Sequence, residues 1–411
     1  MYSLHLTAEQ LEIRDTVRDF VTREIKPIAL KSERLEACER HFPVEILDQA
    51  SQMGLRTLAL SEEAGGAGID NLTSCIVTEE LAVGDVGVAA TLAQTSTLGH
   101  LLFDQAMTPE QRARFLPKFV SDDRYHLAFA DHEPNTDAGW NYYRPAVTQT
   151  GVKTTAVRDS KGGWVINGVK DFITNAPIAK LVAVQVRTDP KSSGMNGVST
   201  LLVPGDAPGL TVREPEQVPV WYHGTRGELT FKNCQVPAEN LLGEEGKSPL
   251  SGGAATMGRG NPLIQAMNLG LGRAAYEAAV EYAKLRVQGG KPIIQHEAIG
   301  TILAEIAIKL EVARNMIWQA AWASDHPGAY ADRSLADLPL ETIARVFTSE
   351  VVHQVTLTAA EVFGAMGVMR DMPMQRYVGD ALIFLHSGNS NSAAKLQIAE
   401  ALAGYQRPMA A

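Results

Sequence analysis

FADHEPNTDAGW, Phe129 to Trp140, and NGVKDFITNA, Asn167 to Ala176, are the two stretches on which the fold of this 411-residue chain turns. Each alone reads as a turn against a strand, the first with Pro, Asn, Asp and Gly close together, the second opening on Asn-Gly before apolar residues. They sit where the character of the sequence changes. Upstream, apolar residues recur at helical spacing. From about residue 125 they come in short alternations broken by Gly, Pro and Asn: WVINGVKDFIT, KLVAVQVRT, GVSTLLVP and GELTFKNCQVP. That pattern predicts antiparallel strands, with Ser160–Gly163 as a hairpin turn, in a small β-barrel or sandwich.

Working outward, Thr7 followed by Gln10 is the pattern of a capping box, and Ile13, Val17, Phe20, Val21 and Ile25 recur on one helical face until Pro27, which is expected to end the helix. Further helices are expected at about 43–54, 71–84, 87–105 and 109–120, the last with Thr108-Pro109 as cap and first-turn proline. After Leu242-Gly243 long amphipathic helices return and run to about 405, broken near 287–296, 325–339, 365–375 and 385–391. Such a run of helices with short turns makes a four-helix bundle. The chain is therefore expected to be α+β, mainly α: an N-terminal helical domain over 1–122, a middle β-domain over 123–243 and a bundle over 244–411.

Composition narrows the function. A formal charge of −10 argues against nucleic acid, because phosphate neutralisation needs a basic surface. Cys38, Cys75 and Cys234 have no metal-ligand spacing, so neither a zinc site nor a disulfide framework is expected. The sequence begins without a basic region followed by an apolar run, and no 18 consecutive apolar residues occur. A soluble cytoplasmic protein with no membrane partner is the expectation.

Three local motifs have plainer readings than their letters suggest. Gly270-Leu271-Gly272-Arg273-Ala274-Ala275 matches the dinucleotide fingerprint but lies inside a helical pattern with no strand before it, so close helix packing is expected. Glu62–Gly68 (EEAGGAG) reads as a loop between helices. His386-Ser387 lacks the surroundings of a nucleophile elbow, and adjacent helical residues point in different directions.

Taken together, FADHEPNTDAGW and NGVKDFITNA resemble the paired flavin-binding segments of the acyl-CoA dehydrogenase family, usually worded T-E-P-x-A-G-S-D and N-G-x-K-x-W-I-T-N. Other family-like stretches stand in the right order: Glu62–Gly68 with Glu79-Glu80-Leu81-Ala82, FKNCQVPAENLLGEEG at 231–246, Arg286–Ile293, and Phe363–Gly367. The resemblance implies the same three-domain architecture, FAD as cofactor, an acyl-CoA substrate and a homotetramer built as paired dimers. It also implies site residues. The backbone at Ala130 and His132 would meet the flavin edge, Phe172 and Thr174 would pack on and bond to the ring, and Arg286 would reach the FAD pyrophosphate of a neighbouring subunit. Glu361, Ala365 and Ser390 would also meet the cofactor, and Gly260, Asn261, Ser387 and Gly388 the substrate, with the Gly388 N–H polarising the thioester carbonyl.

Departures from the family pattern carry the functional expectation. His132 stands for threonine, Phe172 for tryptophan, Gly289 for phenylalanine and Glu361 for glutamine. Counting forward without gaps from Glu361 puts Gly388 at the position of the glutamate that removes the substrate α-proton. The alternative base position, on the first bundle helix, is Gly260, with Asn261 in place of the arginine that follows it. An α-proton beside a thioester needs a positioned base. Two glycines also leave space for a cyclic or aromatic acyl group, or for oxygen. The expected activity is a non-classical, oxygenase-like flavin oxidation of an acyl-CoA thioester. The alternatives are α,β-dehydrogenation with a relocated base, His132 or His386, and a catalytically silent FAD- or CoA-binding subunit.

Overall fold

A computed structural model describes residues 5–31, 44–134, 151–192, 195–214, 225–250, 262–326, 328, 338–386 and 390–404. Helix α1 (Ala8–Phe20) opens on the expected capping box: Gln10 N–H donates to Thr7 Oγ1 at 3.1 Å and Thr7 N–H donates to Gln10 Oε1 at 3.0 Å. The chain then passes through a π-helical turn, Val21–Ile25, into the short helix α2 (Lys26–Ala29). Pro27 does not end the helical path. It sits in the first turn of α2, where a missing N–H costs least.

Helices α3 (Val44–Gln52), α4 (Asn71–Gly84), α5 (Val86–Gly99) and α6 (Pro109–Ser121) complete the first helical region. Side chains of the π-helical turn press on Gly84 of α4, where a Cβ would lie 2.8 Å from both Val21 and Ile25. Asp85 separates α4 from α5 and caps the latter, accepting from Val88 N–H at 2.9 Å.

The strands are β1 (His126–Ala130), β2 (Thr155–Arg158), β3 (Trp164–Thr174), β4 (Ala179–Arg187), β5 (Val198–Pro204), β6 (Leu210–Arg213), β7 (Arg226–Val236) and β8 (Leu241–Leu242). They form one sheet in the order β6-β7-β3-β2-β4-β5-β8, with β1 beside β4. The expectation of antiparallel pairing fails at β4, with which both β1 and, at Thr155 and Arg187, β2 pair in parallel; no hairpin joins either to β4, since β3 intervenes in the chain. The sheet's two faces separate by the period of two. Ala128, Ala130, Val182, Val184, Leu201 and Val203 enter a core shared with Trp164, Ile166 and Phe231, so the sheet curls about one apolar interior. The intervening Leu127, Phe129, Leu181, Ala183 and Leu202 face Leu98, Phe103, Phe115 and Phe119 of the helices.

The bundle consists of α7 (Pro262–Leu285), α8 (Glu297–Asp325), α9 (Leu340–Phe363) and α10 (Met374–His386), followed by α11 (Asn391–Leu402). A small hairpin, β9 (Val287–Gln288) and β10 (Lys291–Pro292), links α7 to α8. Helices α7 and α9 run parallel: Gly272 meets Val352, and ten residues on Tyr282 stacks on Phe363 at 4.2 Å. Helix α9 with the turn after it is long and apolar enough by composition to cross a membrane. Here its Val352, Val355 and Ala359 are buried in the core shared with α7 and α8.

The glycine motif of α7 does what close packing requires. A Cβ on Gly270 would lie 2.3 Å from the carbonyl oxygen of Glu79 on α4, and one on Gly272 would lie 2.9 Å from Leu310 on α8. The approach brings Arg273 onto the acidic pair of α4: its guanidinium meets Glu79 at 2.7 Å and also Glu80, while Arg18 reaches Glu80 at 2.7 Å and Arg314 reaches Glu79 at 2.8 Å.

Candidate functional site

The candidate site is built from the end of β1 and the second half of β3. Strict alternation along β3 from Trp164 and Ile166 through Lys170 would turn Phe172 inward. Instead, the register against β7 shifts between Lys170 and Ile173, a bulge that puts Ile173 in the core and leaves Phe172 66% exposed. Phe172 adopts φ +52°, a left-handed conformation costly for a bulky residue. Such strain persists only where the surroundings over-determine it, and it concentrates at functional sites.

The surroundings do over-determine it. Lys170 and Glu133 form a buried ion pair at 2.7 Å, and Glu133 also accepts from the backbone N–H groups of Lys153 and Thr154 at 2.7 and 2.9 Å. Burial alone would raise the Glu133 carboxyl, but the Lys170 charge and these donors hold it below the usual range. This pair fixes the segment after β1 against β3. A second tie is made by Asp171, whose N–H donates to the His132 carbonyl at 3.2 Å and whose Oδ1 meets His132 Nδ1 at 2.5 Å. The His132 ring stands edge-on to Phe172, with centroids 6.1 Å apart at 81°.

Below Phe172 lies a buried polar anchor. Asn175, also left-handed at φ +66°, donates through Nδ2 to Thr91 O, Thr95 Oγ1 and Leu127 O at 3.0–3.1 Å, and accepts from Thr225 Oγ1 at 3.0 Å. Thr95 also contacts His126 Nδ1 at 3.2 Å. Burial, reinforced by the Arg56 charge, pulls the His126 imidazole down to about 4, so it is neutral in this network at neutral pH. The same end of β3 reaches the bundle. Arg226, in register with Thr174, is lowered to about 10 by burial against the opposing pull of Asp380 on α10. Helix α10 ends at His386, immediately before the sequence stretch that lacks a carboxylate.

The arrangement offers an exposed aromatic face on rigid backbone, with backbone groups and one imidazole nitrogen beside it. Those are the contacts a planar heteroaromatic ring accepts. Models of the acyl-CoA dehydrogenase N-terminal, middle and C-terminal domains match residues 7–123, 147–234 and 254–403. The chain belongs to the acyl-CoA dehydrogenase family. An acyl-CoA dehydrogenase of Bacillus subtilis (strain 168) is 32% identical over 404 residues, covering 98% of this chain and all of that protein. The mouse mitochondrial short-chain specific acyl-CoA dehydrogenase is 31% identical, covering 93% of this chain and 87% of its own length. Butyryl-CoA dehydrogenase of Megasphaera elsdenii superposes with a TM-score of 0.84 at 30% identity, over 98% of this chain and 100% of that one.

The expected site residues of this acyl-CoA dehydrogenase family member divide into three groups. Ala130, His132, Phe172 and Thr174 come together at the junction of β1 and β3, Ala130 with its side chain in the core and Thr174 half-buried at the strand end. Arg286, Glu361 and Ala365 are exposed elsewhere: Arg286 begins the β9–β10 hairpin, and Glu361 and Ala365 flank the turn that closes α9 at Gly364. No hydrogen bond, ion pair or ring contact among the described residues joins these to the β1–β3 cluster. Ser390 caps α11, its hydroxyl accepting from Ala393 N–H. Gly260, Asn261, Ser387 and Gly388 lie outside the described residues, and His386 is the exposed last residue of α10.

Sequence reasoning passed over Glu133, Lys170, Asp171 and Asn175 as builders of the site. A signal was present for one pair: a Lys and a Glu sit next to the motif positions in otherwise apolar or turn segments, where charges are retained only if paired.

Proposed function

We propose that the protein is an FAD-dependent oxidoreductase acting on an acyl-CoA thioester, and that its oxidation is non-classical, with molecular oxygen as acceptor. The observation that carries the FAD assignment is Phe172, exposed on strained backbone beside His132 and the end of β1. Relatives whose names specify short-chain acyl-CoA or butyryl-CoA dehydrogenases support the thioester class. FAD, when bound, supplies a two-electron acceptor. This chain's part is to hold the ring: Phe172 packs against it, Ala130, His132 and Thr174 present polar groups to its edge, and Arg286 serves the pyrophosphate across a homotetramer contact.

The reaction type follows from what the sequence omits. From His386 to Ser392 there is no Asp or Glu, and Gly260 leaves the other expected base position empty of a carboxylate. The backbone N–H at Gly388 remains available to polarise a carbonyl. Without a base, removal of the thioester α-proton loses a factor of about 10² to 10⁴.

The His132–Asp171 contact favours a second reading, dehydrogenation with His132 as relocated base, since a carboxylate-held imidazole is a competent proton acceptor. Oxygen consumption and product analysis with a panel of linear and aromatic acyl-CoAs separate the two. The proposal expects oxygen uptake tied to substrate and an oxygenated or oxidised product. Enoyl-CoA formed at an undiminished rate without oxygen, and abolished by His132→Ala, would establish the second reading instead.

A further inference from the structure

We propose that a buried polar seam between α7 and α9 reads a hydrogen-bonding group, a hydroxyl or a carboxamide, on the acyl part of the substrate. The proposal rests on the thioester reading above and deepens it by naming the class of acyl group.

The seam consists of Gln265 and Asn268 on α7 and Thr348 on α9. All three are buried, Asn268 and Thr348 completely. Asn268 Oδ1 and Nδ2, Gln265 Oε1 and the Thr348 hydroxyl have no hydrogen-bond partner among the described residues. The two helices run parallel with Gly272 against Val352, so one turn toward their N-termini Asn268 falls beside Thr348, and Gln265 continues the same face of α7.

Comparable groups nearby are satisfied. On α9 itself, Ser349 and Thr356 donate to the carbonyls of Arg345 and His353, each at 2.9 Å, so this helix offers backbone acceptors within a hydroxyl's reach. The buried carboxamide of Asn175 bonds through both of its polar atoms. Unpaired buried donors and acceptors destabilise a fold and are the exception in folded proteins. Toward the other end of the same two helices the contact is apolar, Tyr282 stacking on Phe363.

Position points to the substrate as the occupant. Asn391, the first residue of α11, donates to Ser349 Oγ at 2.9 Å, directly after Thr348 on α9. Asn391 follows the stretch that lacks a carboxylate, and Gln265 comes shortly after Gly260 and Asn261 in the chain. The polar end of the seam is thus the end that adjoins both expected substrate segments. Donors at Asn268 Nδ2 and Thr348, with acceptors at Asn268 Oδ1 and Gln265 Oε1, match a group that both gives and takes a hydrogen bond. A hydroxyl or a carboxamide does so. A plain alkyl chain in the same place leaves every one of these atoms unpaired, and sites of that kind discriminate strongly against the analogue without the polar group.

The test uses full-length, FAD-loaded protein and reads ligand affinity from the change in flavin absorbance. Short and medium straight-chain acyl-CoAs are compared with counterparts hydroxylated at each chain position in turn and with one ending in a carboxamide. The unaltered chain is expected to bind a hydroxylated or carboxamide-bearing acyl-CoA at least about tenfold tighter than the plain chain of equal length. Asn268→Leu and Thr348→Val, both nearly isosteric, are expected to remove that preference. The urea midpoint of the ligand-free variants should stay level or rise, because each loses an unpaired polar group. Equal affinities in the unaltered chain overturn the proposal, and so does a preference that both variants retain. A retained preference with a lower urea midpoint is the behaviour of a seam bridged by internal water in a purely structural role. Should Asn268→Leu fail to fold, Thr348→Val is read by the same criteria. An unaltered chain whose flavin responds to none of the acyl-CoAs defeats the thioester reading and this inference with it, an outcome distinct from equal affinities.

Discussion

Two clusters of charge in this molecule use the same residue types to opposite ends. Around Arg273, the guanidinium groups of Arg18 and Arg314 and the carboxylates of Glu79 and Glu80 neutralise one another where α1, α4, α7 and α8 meet. They border a cleft of about 730 Å³ in which Arg14, Arg18, Arg273 and Arg314 are matched by Glu79, Glu80, Glu277 and Glu311. At the junction of β1 and β3, Lys170 and Glu133 are equally buried and paired, but beside them His132, held by the largely shielded Asp171, is open to solvent and adjoins a strained aromatic. The larger cavity is structural glue. The smaller surface is the proposed site, where the described residues leave an imidazole next to an exposed apolar plane.

The comparison breaks first, and by the largest amount, at Arg273. Arg273→Met should leave Glu79 to Arg314 and Glu80 to Arg18 alone and cost up to about 3–5 kcal/mol, read as a lower urea midpoint, while FAD affinity per folded molecule is retained. His132→Ala should leave stability within about 0.5 kcal/mol and act on flavin properties instead. Loss of stability at His132 comparable to that at Arg273 would mean the two clusters do the same work.

The network under the site responds to acid. His126 is pulled down to about 4 in the folded protein, against an ordinary value of about 6.5 in the unfolded chain. Between those values the unfolded chain binds a proton that the folded chain refuses, so stability is level above pH 6.5 and falls as pH drops toward 4, by about 3 kcal/mol in full. His126→Asn, which retains a polar partner for Thr95, should lack that part of the slope in denaturant titrations at pH 7, 6, 5 and 4.

The smallest effect is the most diagnostic. Phe172→Gly relieves a left-handed bulky residue and should stabilise the apoprotein by about 1 kcal/mol while weakening FAD retention. A residue whose removal improves folding and harms binding is held in place for the ligand. A fall in both would mark Phe172 as ordinary packing.

Much of this architecture was legible in the residues. The Thr7–Gln10 capping box, the Thr108-Pro109 start and the α, β, bundle order follow from local chemistry and period, and Gly270 and Gly272 were readable as packing contacts because no strand precedes them. The misses have a common cause in long-range geometry. Pro27 was read as a terminator because the π-helical turn that precedes α2 leaves no mark in a 3.6-residue pattern. The parallel pairing of β1 depends on where the chain re-enters the sheet, and neighbouring residues do not encode that. At the site, the bulge against β7 that turns Phe172 out leaves no mark in the alternation of β3. The pairing of His132 with Asp171 joins segments 39 residues apart, and the charge balance at Glu133 needs Lys170 at a similar distance.

The central claim is that a retained flavin bed works without the carboxylate that desaturation requires. Its most direct test compares the unaltered chain with Gly388→Glu, each loaded with FAD and mixed without oxygen with a saturated acyl-CoA. The account predicts negligible flavin bleaching and no enoyl-CoA from the unaltered chain, and enoyl-CoA formation faster by about 10² to 10⁴ in Gly388→Glu. Equal, rapid bleaching with stoichiometric enoyl-CoA from both proteins would contradict it.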